Sequence, residues 1–99
     1  MGVCPYGPRT FREWWDGEYV PGSDNAEQIV SESTPADMVI IQAKHQNTNV
    51  VYVGSTNSPH FELNPGETVQ LCIPDLQEIY VQRTAGSAGD GINYVAGLF

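Results

Sequence analysis

At 99 residues the chain has room for one domain, and its twelve acidic side chains outweigh four basic ones for a net charge of −8. So little Lys and Arg excludes nucleic acid and anionic membrane surfaces as partners, because both are held by basic side chains. No run of about 18 apolar residues is present, which excludes a transmembrane helix. The opening MGVCPYGPRT has neither the basic nor the apolar region of a signal peptide.

Residues 1–25 differ in character from the rest. Three prolines and four glycines interrupt regular structure there, yet the stretch holds five of the ten aromatics. Disordered tails are poor in aromatics, so this segment is expected to dock. RTFREWWDGEY suggests a helical turn or two, with Thr10 as N-cap, Glu13 completing a capping box and Gly17 as the stop. Two uses compete for the aromatics: a lid over the open face of a sheet, or an arm that binds another chain. Trp, Tyr and Arg are favoured interface anchors, so the candidate partner-binding set is Tyr6, Arg9, Phe11, Arg12, Trp14, Trp15 and Tyr19. Adjacent tryptophans diverge in any regular backbone, so one of Trp14 and Trp15 faces outward. The arm is expected to carry attachment while the sheet carries the fold.

PGSDN (21–25) is a turn-rich connector and AEQIVSES (26–33) reads as the first strand. Residues 38–44 and 50–54 form the best hairpin candidate, joined through the polar turn 45–49. Beyond it, side chains alternate cleanly. Phe61 and Leu63 oppose His60 and Glu62; Val69, Leu71 and Ile73 oppose Thr68, Gln70 and Cys72; Ile79 and Val81 oppose Tyr80 and Gln82. Val69, Leu71, Ile73, Ile79 and Val81 are therefore expected in one core. NPGE (64–67) fits a type II turn with Pro65 and Gly66 at its centre. IPDL (73–76) turns again, GSAGDG (86–91) reads as a flexible glycine loop, and INYVAGLF (92–99) is the last strand. Turn signals every 8–12 residues predict an all-β fold, a small β-sandwich or jelly-roll-like barrel at 26–99 behind an extended N-terminal arm at 1–25.

Constellations with chemistry are sparse. His45 and His60 sit in polar loops, and with Cys4 and Cys72 scattered they make no zinc-ligand spacing. No metal site and no cofactor is expected. GSAGDG lacks the Lys–Ser/Thr of a phosphate-binding loop, and no nucleophile–base set is evident, so the chain is not expected to be an enzyme. The two cysteines read as free thiols of a reducing compartment, with a disulfide from arm to sheet as the alternative. Tyr52, Tyr80 and Tyr94 form a candidate glycan platform, against the alternative of cross-strand packing.

The runs VYVG (51–54), LNPGE (63–67), IYV (79–81) and GDG (89–91) together resemble a small β-module of tailed-bacteriophage virion structural proteins. The resemblance covers roughly 37–97 and leaves the arm unmatched. It implies a virion protein, most simply a capsid-decorating (cement) protein on the outside of the head, with the major capsid protein or another virion protein as partner. A tail, connector or fibre-base component, or a glycan-binding module of a fibre, is the alternative it implies. A homo-oligomer, a trimer on local threefold positions, is expected from the same resemblance. Strands apolar on both faces, at 38–41 and 50–53, also favour self-association.

Overall fold

The computed structural model describes residues 10–99. Eight strands run β1 (Glu13–Tyr19), β2 (Glu27–Gln28), β3 (Met38–Ala43), β4 (Val51–Gly54), β5 (Phe61–Leu63), β6 (Thr68–Leu71), β7 (Tyr80–Arg83) and β8 (Ile92–Leu98). One turn of 3-10 helix, Leu76–Glu78, lies between β6 and β7. The strands form two four-stranded sheets in the orders β1-β8-β3-β6 and β2-β7-β4-β5. The pairings are nested: β1 with β8, β2 with β7, β3 with β6 and β4 with β5, all antiparallel. A chain folded once on itself and then rolled produces that nesting, and it defines the double-sheet jelly roll. The all-β sandwich read from turn spacing is the observed architecture.

The core lies between the sheets and follows the alternation. Val39, Ile41, Ala43, Leu71, Ile92 and Ala96 face inward from the first sheet, and Val51, Val53, Leu63 and Val81 from the second. Ile73 and Ile79 are buried as expected, and Val69 packs against the cluster. Leu76 closes one end of the core, on a 3-10 turn whose N-cap Asp75 accepts from the Gln77 N–H at 2.8 Å. The NPGE turn forms as read: Gly66 has φ +87 and Glu67 N–H donates to Asn64 O at 2.9 Å.

Three expectations are corrected. Residues 13–19 are an edge strand rather than a helical turn, so the sandwich begins at Glu13 and not at 26. Trp, Tyr and alternating burial suit a strand, and Gly17 does not stop it because the Tyr94 ring lies over it, 2.7 Å from where a Cβ would sit. AEQIVSES contributes only the two residues of β2 and is the second strand. The stretches 38–44 and 50–54 do not pair: β3 and β4 belong to opposite sheets. The 45–49 segment carries the chain across from one to the other.

That crossing is held by Asp90, which is 3% exposed. Its carboxylate accepts from Thr48 N–H at 3.0 and 3.1 Å, from Asn49 N–H at 3.0 Å and from the Thr48 hydroxyl. Asn47 makes a two-way amide pair with Gly91, and Asn49 Nδ2 donates to Ser87 Oγ at 2.7 Å. The glycine loop is therefore two consecutive tight turns. Ser87 N–H donates to Thr84 O and Asp90 N–H to Ser87 O, with Gly86 at φ +83 and Gly89 at φ +93 supplying the left-handed third positions. A glycine loop read as flexible is instead pinned.

Asp90→Ala leaves three part-buried donors, the Thr48 and Asn49 N–H groups and the Thr48 hydroxyl, without their acceptor and is expected to cost about 1–3 kcal/mol. Chemical denaturation measures it; a loss under about 0.5 kcal/mol, the range of ordinary surface changes, would contradict this role for Asp90.

Candidate functional site

β1 settles where the candidate aromatics point. Its register with β8 pairs Trp15 with Ala96 and Tyr19 with Ile92, so these two residues face the core. Trp14, opposite Gly97, faces outward and is 63% exposed. Trp15 and Tyr19 pack against the buried cluster. One tryptophan faces out and one in, as the alternation requires, and Trp14 is the exposed one. Trp15, also in the set expected to serve attachment, is half-buried against the core.

Phe11 lies over Gly97 on the outer side, its ring 2.6 Å from where a Cβ would sit, and stacks on Phe99 with centroids 5.4 Å apart. Arg12 is exposed and tied to the C-terminal strand. Its N–H donates to Leu98 O at 2.8 Å and its Nε to Phe99 O at 3.1 Å. Tyr6 and Arg9 lie outside the described residues.

The outer face of the first sheet continues from Trp14 through residues in register with it. Met38 sits opposite Gly97, and Ile40 opposite Val95. All of Phe11, Met38, Ile40 and Val95 are half-buried. Asp16 and Glu18 share this outward face of β1, and Glu18 pairs with Lys44. The result is an apolar stripe with an acidic margin. The signal was present in the sequence as a strand apolar on both faces, but the partner rows came from β8.

The outer face of the second sheet is different. Tyr52 and Tyr80 share it with Gln82, Gln28 and Glu62. Tyr94 does not join them; it packs against the core beneath Gly17. A groove of about 760 Å³ adjoins Tyr80 and is lined also by Tyr19, Gln28, Ser31, Glu32 and Thr34.

Three carboxylates latch the connectors to this framework. Asp24 receives Arg83 Nε at 2.9 Å and Gly86 N–H at 3.2 Å, Glu27 receives the Tyr19 hydroxyl and Ser23 Oγ, and Asp75 receives Ser33 Oγ and Thr34 N–H. These bonds, from Arg83, Tyr19 and Ser33 foremost, hold all three carboxyls below their ordinary values. Burial, reinforced by Glu27, pushes the Tyr19 phenol up to about 12.

Cys72 is disulfide-bonded, which removes the free-thiol reading; Cys4, the other cysteine of the chain, lies outside the described residues. Among the described residues no three His, Cys, Asp or Glu side chains are grouped to hold a metal ion. Among the described residues no helix is long and apolar enough to cross a membrane. Comparison with family models, curated proteins and solved structures finds no match to this chain.

The two tryptophans are expected to separate by measurement. Trp15→Ala removes a ring packed on the core and costs about 2–4 kcal/mol, whereas Trp14→Ala changes stability by under about 0.5 kcal/mol. Thermal and denaturant unfolding of the two variants check this. Stability is also expected to depend on pH at both ends. The lowered carboxyls contribute stability that is present above their unfolded values, 3.8 for Asp and 4.5 for Glu, and is lost as pH falls through the folded ones. The raised Tyr19 contributes below its unfolded 10.0, and that is lost towards about 12. The melting temperature should be level between, and a steady rise or fall across neutral pH would contradict these assignments.

Proposed function

We propose that the chain is a virion structural protein of the capsid-decorating kind, attached to the coat protein or another virion protein through the outer face of the first sheet. Trp14 is the observation that carries this reading. A tryptophan 63% exposed near the start of a regular strand is held there by backbone pairing, so its ring is presented at little entropic cost. Large aromatics in such positions are the usual anchors of protein interfaces. The half-buried stripe behind it, Met38, Ile40 and Val95, extends the apolar contact along the sheet. Asp16 and Glu18 on its margin favour a partner with basic groups around an apolar recess.

Two further features support the assignment. The strand-and-turn motifs at 51–54, 63–67, 79–81 and 89–91 resemble the phage module, and they supply strands β4 and β7, the NPGE turn and the Asp90 loop of this fold. A disulfide at Cys72 suits a protein that works outside a reducing cytosol, as a virion surface does. The jelly roll serves in capsid and lectin domains alike, and fold alone does not decide function. The trimer implied by the resemblance is part of this reading; sedimentation equilibrium on the free protein would show three 10.8 kDa chains, against one for a monomer.

The test is co-sedimentation with heads of the encoding phage that have been assembled without this protein. Wild type is expected to bind, and Trp14→Ala to weaken binding by about 30-fold or more, the loss expected for a buried tryptophan anchor. Equal binding by Trp14→Ala, or no binding by wild type, would overturn the assignment.

A further inference from the structure

We propose that the outer face of the second sheet binds an uncharged polysaccharide through Tyr52 and Tyr80. β4 and β7 are the two central strands of that sheet, so side chains on them sit on its most rigid part. Val51, Val53 and Val81 fill the core, which turns Tyr52 and Tyr80 outward. The register places Tyr52 between Glu62 and Gln82, and Tyr80 beside Gln28. Tyr80 is two residues from Gln82, so the tyrosines are diagonal neighbours across one strand pair, within reach of a single extended ligand.

The surroundings give this pair a shape. On one side Pro59 lies over Gly54, the residue paired with Tyr80, its Cα 2.9 Å from where a Cβ would sit. On the other side Tyr80 leads into the groove of about 760 Å³, where Ser31 and Thr34 supply hydroxyls. The amides are fixed in advance. Gln28 Nε2 donates to Gln77 O at 2.7 Å and Gln82 Nε2 to Asp24 O at 3.0 Å.

Flat phenol rings on a firm base, with oriented amides at their edges, match the two sides of a pyranose. The rings meet its C–H face, and the amides and hydroxyls meet its equatorial O–H groups. The charges choose among sugars. Glu62, Glu27 and Glu32 border the face and groove, and the guanidinium of Arg83 is engaged by Asp24. A phosphorylated, sulfated or uronate chain is repelled there, whereas a neutral one loses nothing. The face has none of the aliphatic stripe that runs behind Trp14, which is why a sugar fits it better than a protein.

Isothermal titration of the full chain with cellohexaose, maltohexaose, xylohexaose, mannohexaose and chitohexaose tests the proposal, with polygalacturonate as the charged comparison. At least one neutral hexasaccharide is expected to bind. Tyr52→Ala and Tyr80→Ala should each weaken it by about tenfold, as the loss of one stacked ring implies. Gln28→Ala, an exposed edge change that leaves the core alone, should weaken it measurably as well. Trp14→Ala should bind as wild type does, which separates this site from the attachment face. Binding to none of the neutral sugars, binding to polygalacturonate alone, or undiminished binding by Gln28→Ala and by the tyrosine variants with intact circular dichroism would each overturn it.

Discussion

The buried carboxylate of Asp90 closes the roll. A jelly roll must carry its chain from one sheet to the other several times, and each crossing leaves backbone N–H groups without a ladder partner. At 47–49 the crossing is covered by a single side chain from a loop more than forty residues away, which takes both the Thr48 and Asn49 N–H groups. Asp90 stands immediately before Gly91 and β8, the strand that holds both β1 and β3. The residue that satisfies the crossing thus also sets where the central strand of the first sheet begins. Gly91 is close-packed beneath the chain leaving β1, with Tyr19 O 2.4 Å from where a Cβ would sit. The two tight turns at 84–90, their left-handed glycines and the Asn47–Gly91 amide pair all serve that junction.

Function, on this account, is divided between two sheet faces with opposite chemistry. Both have regular strands and rows fixed by register, and both turn large side chains outward. The first sheet sets an exposed tryptophan before an aliphatic stripe with acidic residues at its margin, which suits a protein surface. The second sets two tyrosines among fixed amides, which suits a hydroxylated and uncharged ligand. A protein fixed to a particle by one face would leave the other turned away from the particle, free to meet a surface outside it.

Much of this was legible locally. The alternation of Val69, Leu71 and Ile73, and of Ile79 and Val81, named the inner faces correctly, since burial on one side of a strand leaves a period of two. NPGE named its own turn because only glycine sits easily at φ +87. What stayed hidden depended on distant partners. Gly17 reads as a stop until Tyr94 is placed over it, and 45–49 reads as a hairpin turn until Asp90 is placed under it. Tyr94 reads as a platform residue beside Tyr52 and Tyr80, yet register puts it on the inner side of the other sheet. Of the candidate site, the divergence of Trp14 and Trp15 was readable from adjacency alone. Which one faced out required the pairing with β8.

Hydroxyl-radical footprinting of the chain on assembled heads, against the free chain, tests the division between faces most directly, because Trp, Met and Tyr side chains all report in one experiment. Trp14 and Met38 are expected to lose reactivity on the particle while Tyr52 and Tyr80 keep theirs. Protection of Tyr52 and Tyr80 with Trp14 as reactive as in the free chain would contradict it.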